Sequence, residues 1–270
     1  MGFKTIQVHV GGDPDSDTRV AAAADFARRQ DARLRGVYTV MPMDLAGVPL
    51  GASVSDARKV AAEAAAPVEA RFRAAAEAAG IRHDWIADVG DAAEHLSVHA
   101  RYADVVVLSQ EKPEHFWNDF RVSLPDHLPF AAGCPVLVLP RGRATTIDAG
   151  EIVVAWKSSR EAAAAVRGAL PLLREARRVT VVTAGPRDET EIQGAGISRF
   201  LSEHGIGVEL RTPVAPEEDA GRALLDEVRQ VGDDGRVRVV DFGLARAAPD
   251  AEVLEPGALE HLSLLASVVS

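Results

Sequence analysis

At 270 residues the chain is long enough for two domains of about 130 residues, each able to bury a hydrophobic core. The formal net charge of −10 argues against binding to nucleic acid or to an anionic membrane surface, because both require cationic side chains that neutralise phosphates. The single cysteine, Cys134, excludes an intramolecular disulfide framework and any zinc site built from several cysteines.

The N-terminal sequence and the apolar runs bear on localisation. The apolar residues after Lys4 alternate as in a strand and lead into Gly11-Gly12-Asp13, which is unlike the continuous apolar core of a signal peptide. No run approaches the ~18 apolar residues that a membrane helix needs. We therefore expect a cytoplasmic protein that does not bind membranes.

Strand and helix patterns alternate through the first half of the chain. The predicted strands are residues 5–10, 34–40, 82–87, 104–109 and 136–139, with helices over 18–30, 55–79 and 92–102 and from Pro125. Pro67 must start, kink or divide the second of these helices. Gly80 follows that helix as its C′ residue.

The second half repeats the same order of elements. Its strands are predicted at residues 152–156, 178–184 and 237–242, with a short strand after Ile206 and a possible last strand at 264–269. Ser158 and Glu161 have capping-box spacing, so Ser158 is predicted to cap the first helix of this half. Because the correspondences keep one order, we predict an internal duplication, with domains at residues 1–141 and 150–270. The second copy is predicted to be degenerate after about residue 235.

Strands that alternate with helices predict right-handed βαβ units and a parallel sheet. Each half is expected to be a doubly wound, five-stranded α/β sandwich. In such sheets a ligand binds beyond the carboxyl ends of the strands, where the winding direction reverses. The loops after the first and fourth strands of each half are therefore the candidate ligand loops. Their candidate ligand-binding residues are Gly11, Gly12, Asp13, Lys157, Ser158 and Arg246.

Two segments, residues 105–140 and 154–173, resemble UspA-type universal stress proteins that carry two domains in one chain. Their most specific features are Gly133-Cys134-Pro135 before an apolar strand and Trp156-Lys157-Ser158-Ser159 before a helix. The resemblance implies a five-stranded parallel sheet of the adenine-nucleotide alpha-hydrolase type and pairing through the last strand. In some members it also implies ATP binding.

The ATP-binding branch of that family uses an aspartate after the first strand and a loop of the form G-x-x-G-x9-G-[ST] after the fourth. In this chain the aspartate position holds Gly11 in the first half and Lys157 in the second. No glycine lies between Ser109 and Gly133, and only Gly243 remains in the second-half loop. The sequence therefore predicts no cofactor, with ATP only as an alternative.

Three function classes remain open. The first is a non-enzymatic stress-response or regulatory module that binds a protein or a small ligand, because no complete catalytic set of residues is present. The alternative is an ATP-binding universal stress protein with weak hydrolysis, and the third is an unrecognised α/β enzyme. A homodimer is expected if the second half has lost its last strand, since the last strand of the first half then needs another partner.

His95 and His99 are four residues apart and share one face of a predicted helix, with Glu94 beside them. Metal ligation requires a third ligand, which the sequence does not identify. We therefore predict no metal site.

Overall fold

The computed structural model describes residues 2–40, 54–111, 123–142, 146–183, 194–213, 219–231, 237–240 and 263–266. The chain divides into two compact units, residues 1–147 and 148–269. This division lies within the segment that separates the two domains predicted from the sequence.

The first unit has strands interleaved with helices. The strands are β1 (Thr5–Val10), β2 (Arg33–Val40), β3 (His83–Val89), β4 (Val105–Ser109) and β5 (Val136–Leu139). The helices are α1 (Ser16–Gln30), α2 (Val54–Ala78), α3 (Ala92–Ala100) and α4 (Leu124–Ala131). All strand pairs are parallel, in the order β3-β2-β1-β4-β5. The predicted doubly wound sheet is therefore confirmed for this unit.

The core of the first unit lies on both faces of this sheet. The β4 side chains Val105 to Leu108 are all buried, as expected for a central parallel strand covered on both faces. On one side Phe26 of α1 packs edge-on against Phe3, with ring centroids 5.5 Å apart. Helix α2 continues through Pro67, which therefore neither starts nor divides it.

The second unit repeats this architecture. Its strands are β6 (Glu151–Ala155), β7 (Arg178–Val182), β8 (Glu209–Arg211), β9 (Val237–Val240) and β10 (Ser263–Ala266). Its helices are α5 (Arg160–Glu175), α6 (Ala195–Glu203) and α7 (Ala220–Val231). The parallel pairs give the order β10-β9-β6-β7-β8, which is the winding of the first unit. Both late strands are present although the sequence diverges from the family there.

None of the described helices combines the length and the apolar character needed to cross a bilayer.

Candidate functional site

The winding of the first unit reverses between β1 and β4, which are neighbours in its sheet. The chain leaves β1 through Gly11 to Asp15 and enters α1, while Ser109 is the last residue of β4. The carboxyl ends of these two strands form the crevice in which open α/β sheets bind ligands. This crevice is the candidate functional site.

Arg19 of α1 is the central side chain of the crevice, and only 2% of it is exposed. Its Nε donates a hydrogen bond of 2.7 Å to the His9 carbonyl oxygen. Its Nη1 donates to Ser109 Oγ at 2.8 Å and to Asp13 Oδ1 at 3.2 Å, and its Nη2 donates to Asp13 Oδ2 at 2.8 Å. One guanidinium therefore connects the end of β1, the following loop and the end of β4.

This arrangement sets the charges in the crevice. Burial acts to raise the pKa of the Asp13 carboxyl, but the hydrogen bonds and the positive charge of Arg19 outweigh it and hold that pKa below its usual value. Burial, and after it the charge of Arg19, lowers the pKa of His9 to about 3. Near neutral pH Asp13 is therefore ionised and paired, and His9 is neutral.

The backbone donors of the β1–α1 loop are used within the loop itself. The Gly11 N–H donates to Ser16 Oγ at 3.0 Å, and the Asp15 N–H donates to Asp13 Oδ1 at 3.1 Å. The Asp15 carboxylate in turn accepts a bond of 2.8 Å from the Gly142 N–H. A phosphate bound here would have to displace these internal acceptors before it could use the same N–H groups.

The three residues predicted in the first unit lie together in this loop, but in different environments. A methyl group placed on Gly11 would lie 2.8 Å from Asp13 Oδ2, whereas one placed on Gly12 would meet no atom within 4 Å. Asp13 is 40% exposed, yet both of its carboxylate oxygens face Arg19. Gly12 therefore borders open space, and Asp13 serves as the counter-ion of a buried cation.

In the second unit Lys157 and Ser158 follow β6 and are both exposed. The prediction that Ser158 caps the next helix is wrong by one residue. Ser159 is the N-cap of α5, with extended backbone, and its Oγ accepts a bond of 3.1 Å from the Ala162 N–H. The helix starts at Arg160, so it is the side chain of Ser159 that lies over the first free N–H groups.

Arg246, the remaining candidate ligand residue, lies outside the described residues, as do residues 112–122 of the predicted first-unit phosphate loop.

Arg19 and Ser109 were not among the residues predicted for the site. One feature of the sequence could have indicated Arg19: it lies in the first turn of a helix that starts directly after an aspartate-rich turn. That position places a long cationic side chain within reach of the turn's carboxylates.

The first half of the chain, residues 2–140, matches the family model described as the universal stress protein family. Among solved structures, a universal stress protein from Archaeoglobus fulgidus has a TM-score of 0.70 at 12% identity, over 97% of this chain and 95% of that one. A Pseudomonas aeruginosa protein described with the same family name has a TM-score of 0.52 at 14% identity, over 98% and 93% of the two chains. The cytoplasmic domain of a prokaryotic cation chloride cotransporter has a TM-score of 0.50 at 12% identity, over 98% and 95%. At these identities the similarity shows the fold alone. Curated protein sequences gave no match.

Proposed function

The chain belongs to the universal stress protein family, and from this premise we propose that it is a regulatory module that binds a protein or a small ligand and catalyses no reaction. The observation that carries the proposal is the closed set of contacts around Arg19. Both oxygens of Asp13 and the Ser109 hydroxyl accept hydrogen bonds from its guanidinium.

The side chains of the same crevice are poorly suited to catalysis. A general base must reach the proton that it removes, and a nucleophile must be activated by a neighbouring base. Asp13 is bound to Arg19 through both oxygens, and His9 has a pKa of about 3, far from the value near the working pH that suits a general base. Asp13 and Arg19 instead hold the β1–α1 loop in a fixed conformation, as expected for a binding surface.

We also propose that the first unit does not bind ATP tightly. Phosphate affinity at such a site comes from several backbone N–H donors that converge on the anion near a helix N-terminus. The N–H groups of Gly11 and Asp15 are already bound to side chains of the loop. The Asp13 carboxylate is bound to Arg19 through both oxygens, so the guanidinium of Arg19 is not free to bind a phosphate.

The second unit supports the alternative, weak nucleotide or anion binding. Lys157 supplies an exposed cation in the loop after β6, which corresponds to the loop after β1. The N-terminus of α5 follows, and its dipole favours an anion by roughly 0.3–1 kcal/mol at an exposed site. This combination can attract an anion but lacks the converging backbone donors of a tight phosphate site.

We also propose that the protein works in the cytoplasm without a resident nucleotide cofactor. Cys134 is an unpaired, buried thiol, a state typical of proteins kept in a reducing compartment. Burial raises its pKa to about 12, so it stays protonated and unreactive.

Isothermal titration of the full chain with Mg-ATP tests the proposal, together with mass spectrometry of the small molecules released when the purified protein is denatured. We expect no co-purifying nucleotide and no binding in the micromolar range. Any weaker binding should be lost in Lys157→Ala and retained in Gly11→Val. Micromolar or tighter affinity that disappears in Gly11→Val but not in Lys157→Ala would refute the proposal for the first unit.

A further inference from the structure

Asp88, His95 and His99 come together at one end of the first unit's sheet, away from the Arg19 crevice in strand order. Asp88 Oδ2 lies 3.1 Å from His95 Nδ1 and 2.7 Å from His99 Nε2. Two imidazole nitrogens from different side chains are thus directed at one carboxylate oxygen, so three possible metal-ligand atoms lie together. We propose that these three residues bind a divalent transition-metal ion, with Zn²⁺ as the best-suited ion.

The local fold brings the three residues together. Asp88 is the penultimate residue of β3, where it lies opposite Thr39 of β2 in the parallel register. The chain then turns at Gly90, whose φ of +149° favours glycine. A methyl group on Gly90 would lie 2.5 Å from His95 Nε2, so glycine also allows the imidazole to lie against the turn.

Helix α3 fixes the positions of the two histidines. It starts directly after the turn, and the Asp91 carboxylate caps it by accepting a bond of 3.0 Å from the Glu94 N–H. His95 and His99 are four residues apart, so they lie one turn apart on the same face of the helix. Because the cap, the turn and the strand are all short-range constraints, the three ligand residues are held without a long loop.

The spacing suits a tetrahedral ion. The three ligand atoms all lie within 4.8 Å of one another. A tetrahedral ion with bonds of about 2.0–2.1 Å holds its ligand atoms roughly 3.3–3.4 Å apart. The Asp88–His95 separation therefore needs to widen by roughly 0.2–0.3 Å, and the Asp88–His99 separation by roughly 0.6–0.7 Å, when an ion replaces the shared protons.

The donor set decides the class of ion. Imidazole nitrogen with one carboxylate oxygen suits Zn²⁺, Co²⁺, Ni²⁺ and Cu²⁺, whereas Mg²⁺ and Ca²⁺ prefer sites made only of oxygen ligands. Three protein ligands leave a fourth tetrahedral position for water or for a group of a ligand. The side chains of Asp88, His95 and His99 are 33%, 29% and 24% exposed, so solvent can reach that position.

Titration of the metal-stripped, untagged full chain with ZnCl₂ near neutral pH tests the proposal. We expect one Zn²⁺ per chain and no competition from Mg²⁺ or Ca²⁺. Asp88→Asn and His99→Gln should each weaken Zn²⁺ binding by at least about tenfold, because even residues that only support metal ligands change affinity by that much. His204→Gln is the matched control, since His204 lies in the second unit and contacts the Phe200 carbonyl oxygen.

A second measurement keeps the test valid if a variant fails to fold. In wild-type protein labelled with ¹⁵N at histidine, Zn²⁺ should shift the signals of His95 Nδ1 and His99 Nε2 and leave those of His83 and His204 unchanged. Absence of Zn²⁺ binding by the wild-type chain would overturn the proposal. Binding that persists undiminished in Asp88→Asn and His99→Gln, or that shifts other histidines instead, would overturn it as well.

Discussion

Arg19 is a buried cation whose counter-ion, Asp13, belongs to the loop that leaves β1. Removal of one partner from a buried ion pair leaves the other charge without compensation, which is costly in a weakly polar environment. Here the partner is partly exposed, so water recovers some of that cost. The crevice therefore depends on Asp13 for its stability and on Arg19 for its shape.

We predict that Asp13→Asn lowers the free energy of unfolding by about 1–3 kcal/mol, the usual range for a lost hydrogen bond to a charged group. Differential scanning calorimetry of the full chain measures the effect. Asp25→Asn is the control, because Asp25 pairs with Arg28 and Arg29 on the surface of α1 and such pairs contribute roughly 0.3–0.5 kcal/mol. Equal stabilities of the Asp13 and Asp25 variants would contradict the role assigned to Asp13.

His9 gives this unit a pH-dependent stability. Its pKa is lowered from 6.5 to about 3 in the folded chain, first by burial and then by Arg19. The unfolded chain therefore takes up a proton below pH 6.5 that the folded chain does not accept until about pH 3. Stability contributed by neutral His9 is complete above pH 6.5 and is lost as the pH falls through that window, with a limiting slope of about 1.4 kcal/mol per pH unit.

His9→Gln should make the stability of the protein less dependent on pH between pH 6.5 and 4.5. Urea midpoints measured at several pH values in that window provide the comparison, with His204→Gln as the control in the second unit. If the His9 variant loses stability on acidification as steeply as the wild type does, His9 is not the titrating group.

At the scale of elements, the contact between β2 and α2 depends on the missing side chain of Gly36. A methyl group there would lie 2.8 Å from Phe72 Cε2 and 2.9 Å from Trp85 Cε3. Phe72 is 1% exposed, and its ring centroid lies 5.3 Å from that of Trp85, so the Phe72 ring has no free space into which to move. The helix therefore approaches the sheet closely because β2 carries a glycine at the contact.

Gly36→Ala is expected to lower the free energy of unfolding by about 1–3 kcal/mol, the typical cost of overpacking a core. Gly196→Ala in α6 is the matched control, because a methyl group there meets no atom within 4 Å and alanine favours the helix. Differential scanning calorimetry of both variants measures the two changes in stability. A Gly36 variant as stable as the wild type would mean that the rings can move aside.

The sequence predicted the bounds of a strand well where the local residue pattern alone determines them. The strands at residues 5–10 and 136–139 have the predicted bounds. The first alternates polar and apolar residues and ends before Gly11, and the second is an apolar run between Pro135 and Pro140. Strand β3 was predicted to end at Ala87 but continues to Val89, since Asp88 and Val89 still pair with Thr39 and Val40 of β2. That pairing depends on the neighbouring strand, which periodicity alone does not include.

Asp88 is also the third ligand of the proposed metal site, which the sequence did not identify. Asp88 was assigned to a connecting segment, so His95 and His99 had no third ligand and no metal site was predicted. Arg19 was missed for a related reason, because an arginine on an amphipathic helix is ordinarily solvent-exposed. Its inward direction depends on where the β1–α1 loop places Asp13, which is a tertiary effect.

At the scale of the whole molecule, the chain contains two units with the same strand order. In the second unit the sequence predicted a strand at residues 237–242 and a possible last strand at 264–269, although the family resemblance fails after about residue 235. Strands β9 and β10 pair in parallel there, with Leu264 opposite Val239. The second unit therefore keeps a fourth and a fifth strand, although the sequence that builds them has diverged.

The presence of β10 bears on assembly. The homodimer was predicted on the condition that the second half lacks its last strand, because an apolar strand edge without a partner invites pairing with other chains. Each unit has its own fifth strand, so the condition on which the homodimer was predicted is not met. We therefore expect light scattering to give the mass of one chain, 28.6 kDa, over a wide range of concentrations. Twice that mass, constant on dilution, would instead establish the homodimer and show that the fifth strands are not sufficient to keep the chain monomeric.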